Sequence, residues 1–184
     1  MNLCSKKIIL KLLKKYQAWP KKRLGQNFLI DQEIIKKMVF AADLSKKDRV
    51  LEIGPGIGAL TQKLAKSAKE VVAVEKDKKM VEILKQTLKD QKNIKIIQKD
   101  ILEFEPKFKN YKIVSNLPYF LTAPVIRKFL EAKFQPQLMV VLIQKEVAQR
   151  ICQKPPNFNL LALSVQVYGS PKIVSYVKRK SFFP

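Results

Sequence analysis

The residues best suited to chemistry form one short run, Ser115-Asn116-Leu117-Pro118-Tyr119. An exocyclic amine such as that of adenine is a poor nucleophile, because its lone pair is conjugated into the ring. Acceptors that take the amine's hydrogens pull the nitrogen toward sp³ geometry and free that lone pair. The Asn116 side-chain oxygen and the Leu117 carbonyl suit this task. Pro118 stiffens the turn and has no N–H to donate. Tyr119 offers an aromatic face on which an extruded base can stack. The nitrogen can lose its proton after its new bond forms, so no strong base is required. The chain contains no histidine, which removes mechanisms built on an imidazole base. The plainer alternative is a structural Asn-x-Pro-Tyr turn.

A second constellation lies upstream. Leu51-Glu52-Ile53-Gly54-Pro55-Gly56-Ile57-Gly58 follows a strand signal and opens a helix signal. Its glycines let the backbone turn tightly and approach a ligand. The spacing is G-x-G-x-G, which is neither the dinucleotide fingerprint nor a phosphate-binding P-loop. Val71-Val72-Ala73-Val74-Glu75 ends in a carboxylate that can accept both ribose hydroxyls of a nucleoside, and Asp100 follows the next strand, where it can accept from an adenine amine. Each acid alone could be a solvated strand end. At three successive strand tips they converge on one crevice, where open α/β sheets bind ligands. The combination resembles the class I S-adenosylmethionine-dependent methyltransferases.

The elements that must position these residues alternate. Strands are predicted at Val50–Ile53, Val71–Val74, Ile94–Ile97, Lys112–Ser115, Leu138–Ile143 and, last, Lys172–Val177. Helices are predicted at Gln32–Ala42 with Asp31 as N-cap, and at Leu60–Ala68 and Lys78–Lys89. Further helices are predicted at Pro124–Ala132, Lys145–Cys152 and Asn157–Tyr168. Alternation of this kind implies an α/β, Rossmann-like fold, with a mostly parallel central sheet and helices on both faces. A basic helix and loop over residues 1–24 precede a methyltransferase-like domain over 25–184. Ile8, Ile9, Leu12, Leu13 and Tyr16 recur at helical spacing, which suits a short helix packed on that domain better than a membrane anchor.

Charge points to the partner. Lys and Arg total 37 against 15 Asp and Glu, a net charge of +22. Such an excess suits a polyanion whose counterions are released on binding. Lysine enrichment through base composition is the alternative, since only five of the 37 are arginine. No apolar run reaches the roughly 18 residues of a membrane span. Cys4 and Cys152 have no metal spacing and fit a reducing cytoplasm. Carbon methylation of cytosine usually needs a cysteine beside a proline, and neither thiol is so placed.

From about Leu12 onward the chain resembles the ribosomal RNA adenine dimethylases, above all the small-subunit enzymes. Pro20-Lys21-Lys22-Arg23-Leu24-Gly25-Gln26-Asn27-Phe28-Leu29 looks like the family's N-terminal signature, and Asn116 to Tyr119 like its catalytic motif. The resemblance implies that S-adenosylmethionine is held by Asn27, Leu29, Gly54, Gly56, Glu75, Asp100 and Asn116. It implies that Asn116, Leu117, Pro118 and Tyr119 receive the adenine, with Phe182 covering its second face. Lys21, Lys22, Arg23 and Arg150 become candidates for RNA contact, although Arg150 could equally pair with Glu146. The implied reaction is dimethylation of two adjacent adenosines in small-subunit rRNA of an immature subunit, by a cytoplasmic monomer without a metal. Leu117 leans away from the large-subunit, antibiotic-resistance methylases, which often carry Ile there. A non-catalytic RNA-binding assembly factor that keeps the fold is a further alternative. A DNA adenine methylase would show a Pro-Pro-Tyr style motif, and a small-molecule methyltransferase leaves the charge unexplained. Phe182-Phe183-Pro184 matches only the start of a later family motif, so a C-terminally shortened chain without the family's helical domain is expected.

Overall fold

The computed structural model describes residues 1–20 and 25–184. Lys21, Lys22 and Arg23, candidates for RNA contact, lie outside the described residues. The elements are α1 (Lys6–Lys15), β1 (Phe28–Leu29), α2 (Gln32–Ala41), β2 (Arg49–Ile53), α3 (Ala59–Ser67), β3 (Glu70–Glu75) and α4 (Lys78–Thr87). They continue with β4 (Ile94–Gln98), β5 (Tyr111–Asn116), α5 (Thr122–Leu130), β6 (Leu138–Leu142), α6 (Lys145–Ile151), α7 (Leu160–Gln166) and β7 (Phe182–Phe183).

The central sheet has five parallel strands in the order β4-β3-β2-β5-β6. Parallel strands covered on both faces read as apolar runs rather than alternating ones, which is the pattern of Val71–Val74 and, Glu52 apart, of Val50–Ile53. Alternate residues then supply two cores. Val50, Val71 and Val114 join Ile9, Leu12 and Leu13 of α1, Ile35 and Met38 of α2 and Leu64 of α3. Leu51, Ile53, Val72, Val74 and Ile113 face Val125 and Phe129 of α5 on the other side. Helix α1 is thus part of the first core, and its end is tied down where Lys79 Nζ donates to the Gln17 carbonyl at 2.5 Å.

The chain runs from β2 outward through β3 and β4, then returns to the other side of β2 for β5 and β6. The crevice at this change of direction is where such sheets bind ligands. Pairing between β2 and β5 runs from Arg49↔Tyr111 to Leu51↔Ile113. Beyond it, Ser115 Oγ accepts from the Ile53 N–H at 3.0 Å and donates to the Ile53 carbonyl at 2.5 Å. One hydroxyl therefore joins the two strands where their ladder has stopped.

Asp31 caps α2 as expected, accepting from the Glu33 and Ile34 amides. Helix α5 begins at Thr122, two residues before the expected Pro124, and Pro124 lies within its first turn. The predicted strand over Lys172–Val177 is absent. Its residues are rich in β-branched and aromatic side chains, but no backbone hydrogen bond joins them to a neighbour among the described residues. An extended segment without a ladder has nothing to hold it as a strand. The last strand is β7 instead, antiparallel to β1, with Leu29 opposite Phe182 and Phe28 opposite Phe183. Ser181 Oγ, just before it, donates to the capping Asp31 at 2.8 Å.

Candidate active site

The loop from β2 to α3 carries the first group of candidate residues. Gly56 has φ +58, and a Cβ there would stand 3.2 Å from the Phe28 ring. Both the backbone conformation and the space therefore call for glycine. The Gly56 N–H donates to Glu75 Oε2 at 3.2 Å, and the Asp77 N–H donates to Glu75 Oε1 at 2.8 Å. Glu75, at the tip of β3, is buried. Two backbone donors aim it into the crevice, and each oxygen keeps a lone pair for a hydroxyl donor. Burial is the main influence on its carboxyl and pushes the pKa upward.

Asp100 follows β4. Its Oδ1 accepts from the Leu102 N–H at 3.0 Å, and its Oδ2 accepts from Lys76 Nζ at 2.6 Å. The Lys76 hydrogen bond is the largest influence and holds the carboxyl below its ordinary value. A ligand amine arriving at Asp100 must therefore share Oδ2 with Lys76.

Asn116 ends β5 and is followed by a short 3₁₀ turn over Tyr119–Leu121. Its Nδ2 donates to the Asn27 carbonyl at 3.0 Å. The Leu117 N–H is taken by the Leu142 carbonyl of β6 at 3.1 Å. Neither Asn116 Oδ1 nor the Leu117 carbonyl receives a hydrogen bond from the described residues. Two acceptors at adjacent positions are thus open among the described residues, while the donors of the same two residues are committed to Asn27 and Leu142. Pro118 lies 3.7 Å from the place a Gly54 Cβ would take, so the Asn116–Tyr119 turn and the glycine loop are in contact. Tyr119 is 41% exposed and Leu117 is 1% exposed.

The structure thus brings Asn27, Gly54, Gly56, Glu75, Asn116, Leu117 and Pro118 into one connected arrangement. Leu29 is buried beside Phe182 on the small β1–β7 sheet. Arg150 is exposed on α6, and among the described residues it forms no ion pair with Glu146.

Sequence reasoning passed over several residues. Gln26 Nε2 donates to Asp77 Oδ2 at 3.4 Å, linking the segment before β1 to the start of α4. Ser115 and Phe28, given no role of their own by the motifs that contain them, shape the crevice through the Ile53 bonds and the contact with the glycine loop. Glu52 is 2% exposed, and neither its Oε2 nor the buried Thr61 Oγ1 has a hydrogen-bond partner among the described residues. Burial pushes the Glu52 carboxyl up to about 8, with the neighbouring Thr61 hydroxyl opposing the rise and the charge of Glu75 adding to it. Its signal was visible: a lone acid inside the buried run Val50-Leu51-Glu52-Ile53.

The fold is that of the class I methyltransferases, and solved structures of such enzymes superpose on it. The 23S rRNA methyltransferase ErmE matches 74% of this chain and 56% of its own, with a TM-score of 0.69 and 29% identity. A dimethyladenosine transferase from Plasmodium falciparum matches 74% of this chain and 51% of its own, with a TM-score of 0.67 and 30% identity. Residues 19–184 match the family model for ribosomal RNA adenine dimethylase, and the chain belongs to that family. Ribosomal RNA small subunit methyltransferase A of Dehalococcoides mccartyi strain CBDB1 is 45% identical over 178 residues, covering 94% of this chain and 61% of that protein. The namesake in Alkaliphilus oremlandii strain OhILAs is 42% identical over 193 residues, covering 100% and 67%. The chain thus spans about three fifths of the length of the first of these relatives. No helix among the described residues is long and apolar enough to cross a membrane.

Proposed function

We propose that this protein dimethylates the exocyclic amines of two adjacent adenosines in small-subunit ribosomal RNA, using S-adenosylmethionine. The observation that carries the reading is the pair of open acceptors, Asn116 Oδ1 and the Leu117 carbonyl. Two adjacent acceptors match the two hydrogens of an aromatic amine. Holding them draws the nitrogen out of conjugation and aims its lone pair into the crevice.

The residues present fit the cofactor. Glu75 is a buried acid with lone pairs left for two ribose hydroxyls, and Asp100 stands one strand further along for an adenine amine. Gly54 and Gly56 put no side chain into the loop between them, and we assign Asn27 and Leu29 to the opposite side of the cofactor. When bound, S-adenosylmethionine supplies an electrophilic methyl group. The protein's contribution is to hold the amine in line, exclude water and stack the base on Tyr119. Phe182, held beside Leu29, would cover the base's other face. The proton lost by the amine can leave to solvent after transfer, which agrees with a chain that has no histidine.

The small-subunit target is favoured by the relatives named small subunit methyltransferase A, at 45% and 42% identity, over the 29% shared with the 23S enzyme. The net charge of +22 suits an RNA partner, with Arg150 and the run Lys21, Lys22 and Arg23 as first contacts. We assign the immature subunit in the cytoplasm as the substrate and the monomer as the working form. The test is nucleoside mass spectrometry of small-subunit rRNA from cells with and without the gene. Dimethyladenosine at two adjacent positions, lost on deletion, supports the reading; unchanged modification contradicts it.

A further inference from the structure

We propose that Phe120 is a second nucleobase platform, holding the nucleotide next to the target adenine. The inference rests on the RNA reading above. Tyr119, Phe120 and Leu121 form one 3₁₀ turn. Such a turn has three residues per revolution, so successive side chains diverge by about 120°. Leu121 packs against the core between the sheet and α5. Tyr119 and Phe120 face solvent, at 41% and 53% exposed.

One base cannot stack on both rings, because they diverge. A base turned out onto Tyr119 brings its neighbour along the same backbone, and the adjacent ring is Phe120. That ring lies beside the Gly25 turn. Its Cδ1 lies 3.6 Å from the place a Gly25 Cβ would occupy, and Gly25 holds φ +56. The absence of a side chain at Gly25 leaves this edge of the ring clear, and more than half of the residue's surface stays open. Gly25 lies two residues after Arg23, the end of the basic run Lys21, Lys22 and Arg23. A substrate with two adjacent target adenosines makes this platform useful in both rounds, since each adenosine must wait beside the other.

The test uses the full chain and short RNA hairpins carrying two adjacent adenosines, with and without an abasic nucleotide on either side of the target. Phe120→Ala is expected to weaken RNA binding and raise the KM for RNA about tenfold, the cost of one base–aromatic stack. The kcat and the affinity for S-adenosylmethionine should stay within about twofold, and Phe120→Trp should restore RNA affinity. On the RNA that lacks the neighbouring base, Phe120→Ala should have no further effect, since the two changes remove one contact. Independent, additive effects would overturn the proposal. So would a loss of cofactor affinity in step with RNA affinity, which would make Phe120 only a support for the Gly25 turn. Binding without methyl transfer by the unaltered protein would contradict the activity proposed above, while the coupling still scores Phe120. Failure to bind either RNA would overturn both.

Discussion

The side-chain amide of Asn116 donates to the backbone carbonyl of Asn27 at 3.0 Å, across 89 residues of sequence. This bond decides what the rest of Asn116 can do. With Nδ2 engaged, Oδ1 is the atom left for a substrate amine. The bond also joins the turn proposed to hold the base to the segment proposed to border the cofactor.

Asn116→Asp separates these two roles. The aspartate keeps an acceptor but cannot donate to Asn27, and its charge faces a carbonyl oxygen. Loss of one such hydrogen bond costs about 1 kcal/mol or more, so affinity for S-adenosylmethionine should fall roughly five- to tenfold. Titration calorimetry checks this. Unchanged affinity would show that the Asn27 segment is held in place without Asn116.

Glu75 should matter for both binding and folding. Glu75→Ala removes the proposed ribose acceptor and takes a hydrogen-bond acceptor from the part-buried Gly56 amide and the buried Asp77 amide. Cofactor affinity is expected to fall roughly 100-fold and stability by about 1–3 kcal/mol. Glu75→Gln retains an acceptor and should lose less of each. Calorimetry and urea unfolding measure the two effects separately.

Glu52 sets a pH dependence of stability. Its folded carboxyl is raised from 4.5 to about 8, so between these values the folded protein holds a proton that the unfolded chain releases. The resulting stability is present at acid pH and is lost as pH rises through this window, at up to about 1.4 kcal/mol per pH unit. Glu52→Gln keeps the shape without the titration. In urea unfolding it should match the unaltered protein near pH 4.5 and gain on it steadily toward pH 8. A difference that does not vary with pH would show that Glu52 keeps one charge state throughout.

Ser115→Ala tests the joint across the crevice. It removes both hydrogen bonds to Ile53 beyond the end of the β2–β5 ladder. The stranded backbone groups should cost about 1–3 kcal/mol in urea unfolding. Wild-type stability would mean that water or a backbone shift replaces the hydroxyl.

Much of the fold is legible in the amino-acid sequence. The buried parallel strands announce themselves as apolar runs, so the tips carrying Gly54, Glu75, Asp100 and Asn116 could be placed from sequence. Pairing between distant short segments could not be read. Residues 28–29 meet 182–183 through two residue pairs, too few for periodicity to register. Lys172–Val177 shows the converse, because β-branched and aromatic side chains favour an extended backbone and say nothing of a pairing partner. The Lys76 bond to Asp100 and the open state of Asn116 Oδ1 depend on rotamers, to which residue type and spacing are blind. Glu52 was legible but unread, since a charged residue in a buried strand is a signal in itself.

The central claim is that Asn116 activates an adenine amine. Its most direct test is single-turnover transfer of labelled methyl from S-adenosylmethionine to immature small subunits, comparing the unaltered protein with Asn116→Ala. The unaltered protein should yield dimethyladenosine at two adjacent positions. Asn116→Ala should slow transfer roughly 100-fold or more, as when a donor or acceptor aligned with the transition state is removed, while still binding the particles. Equal rates for the two proteins, or no transfer by the unaltered protein with cofactor bound, would contradict it.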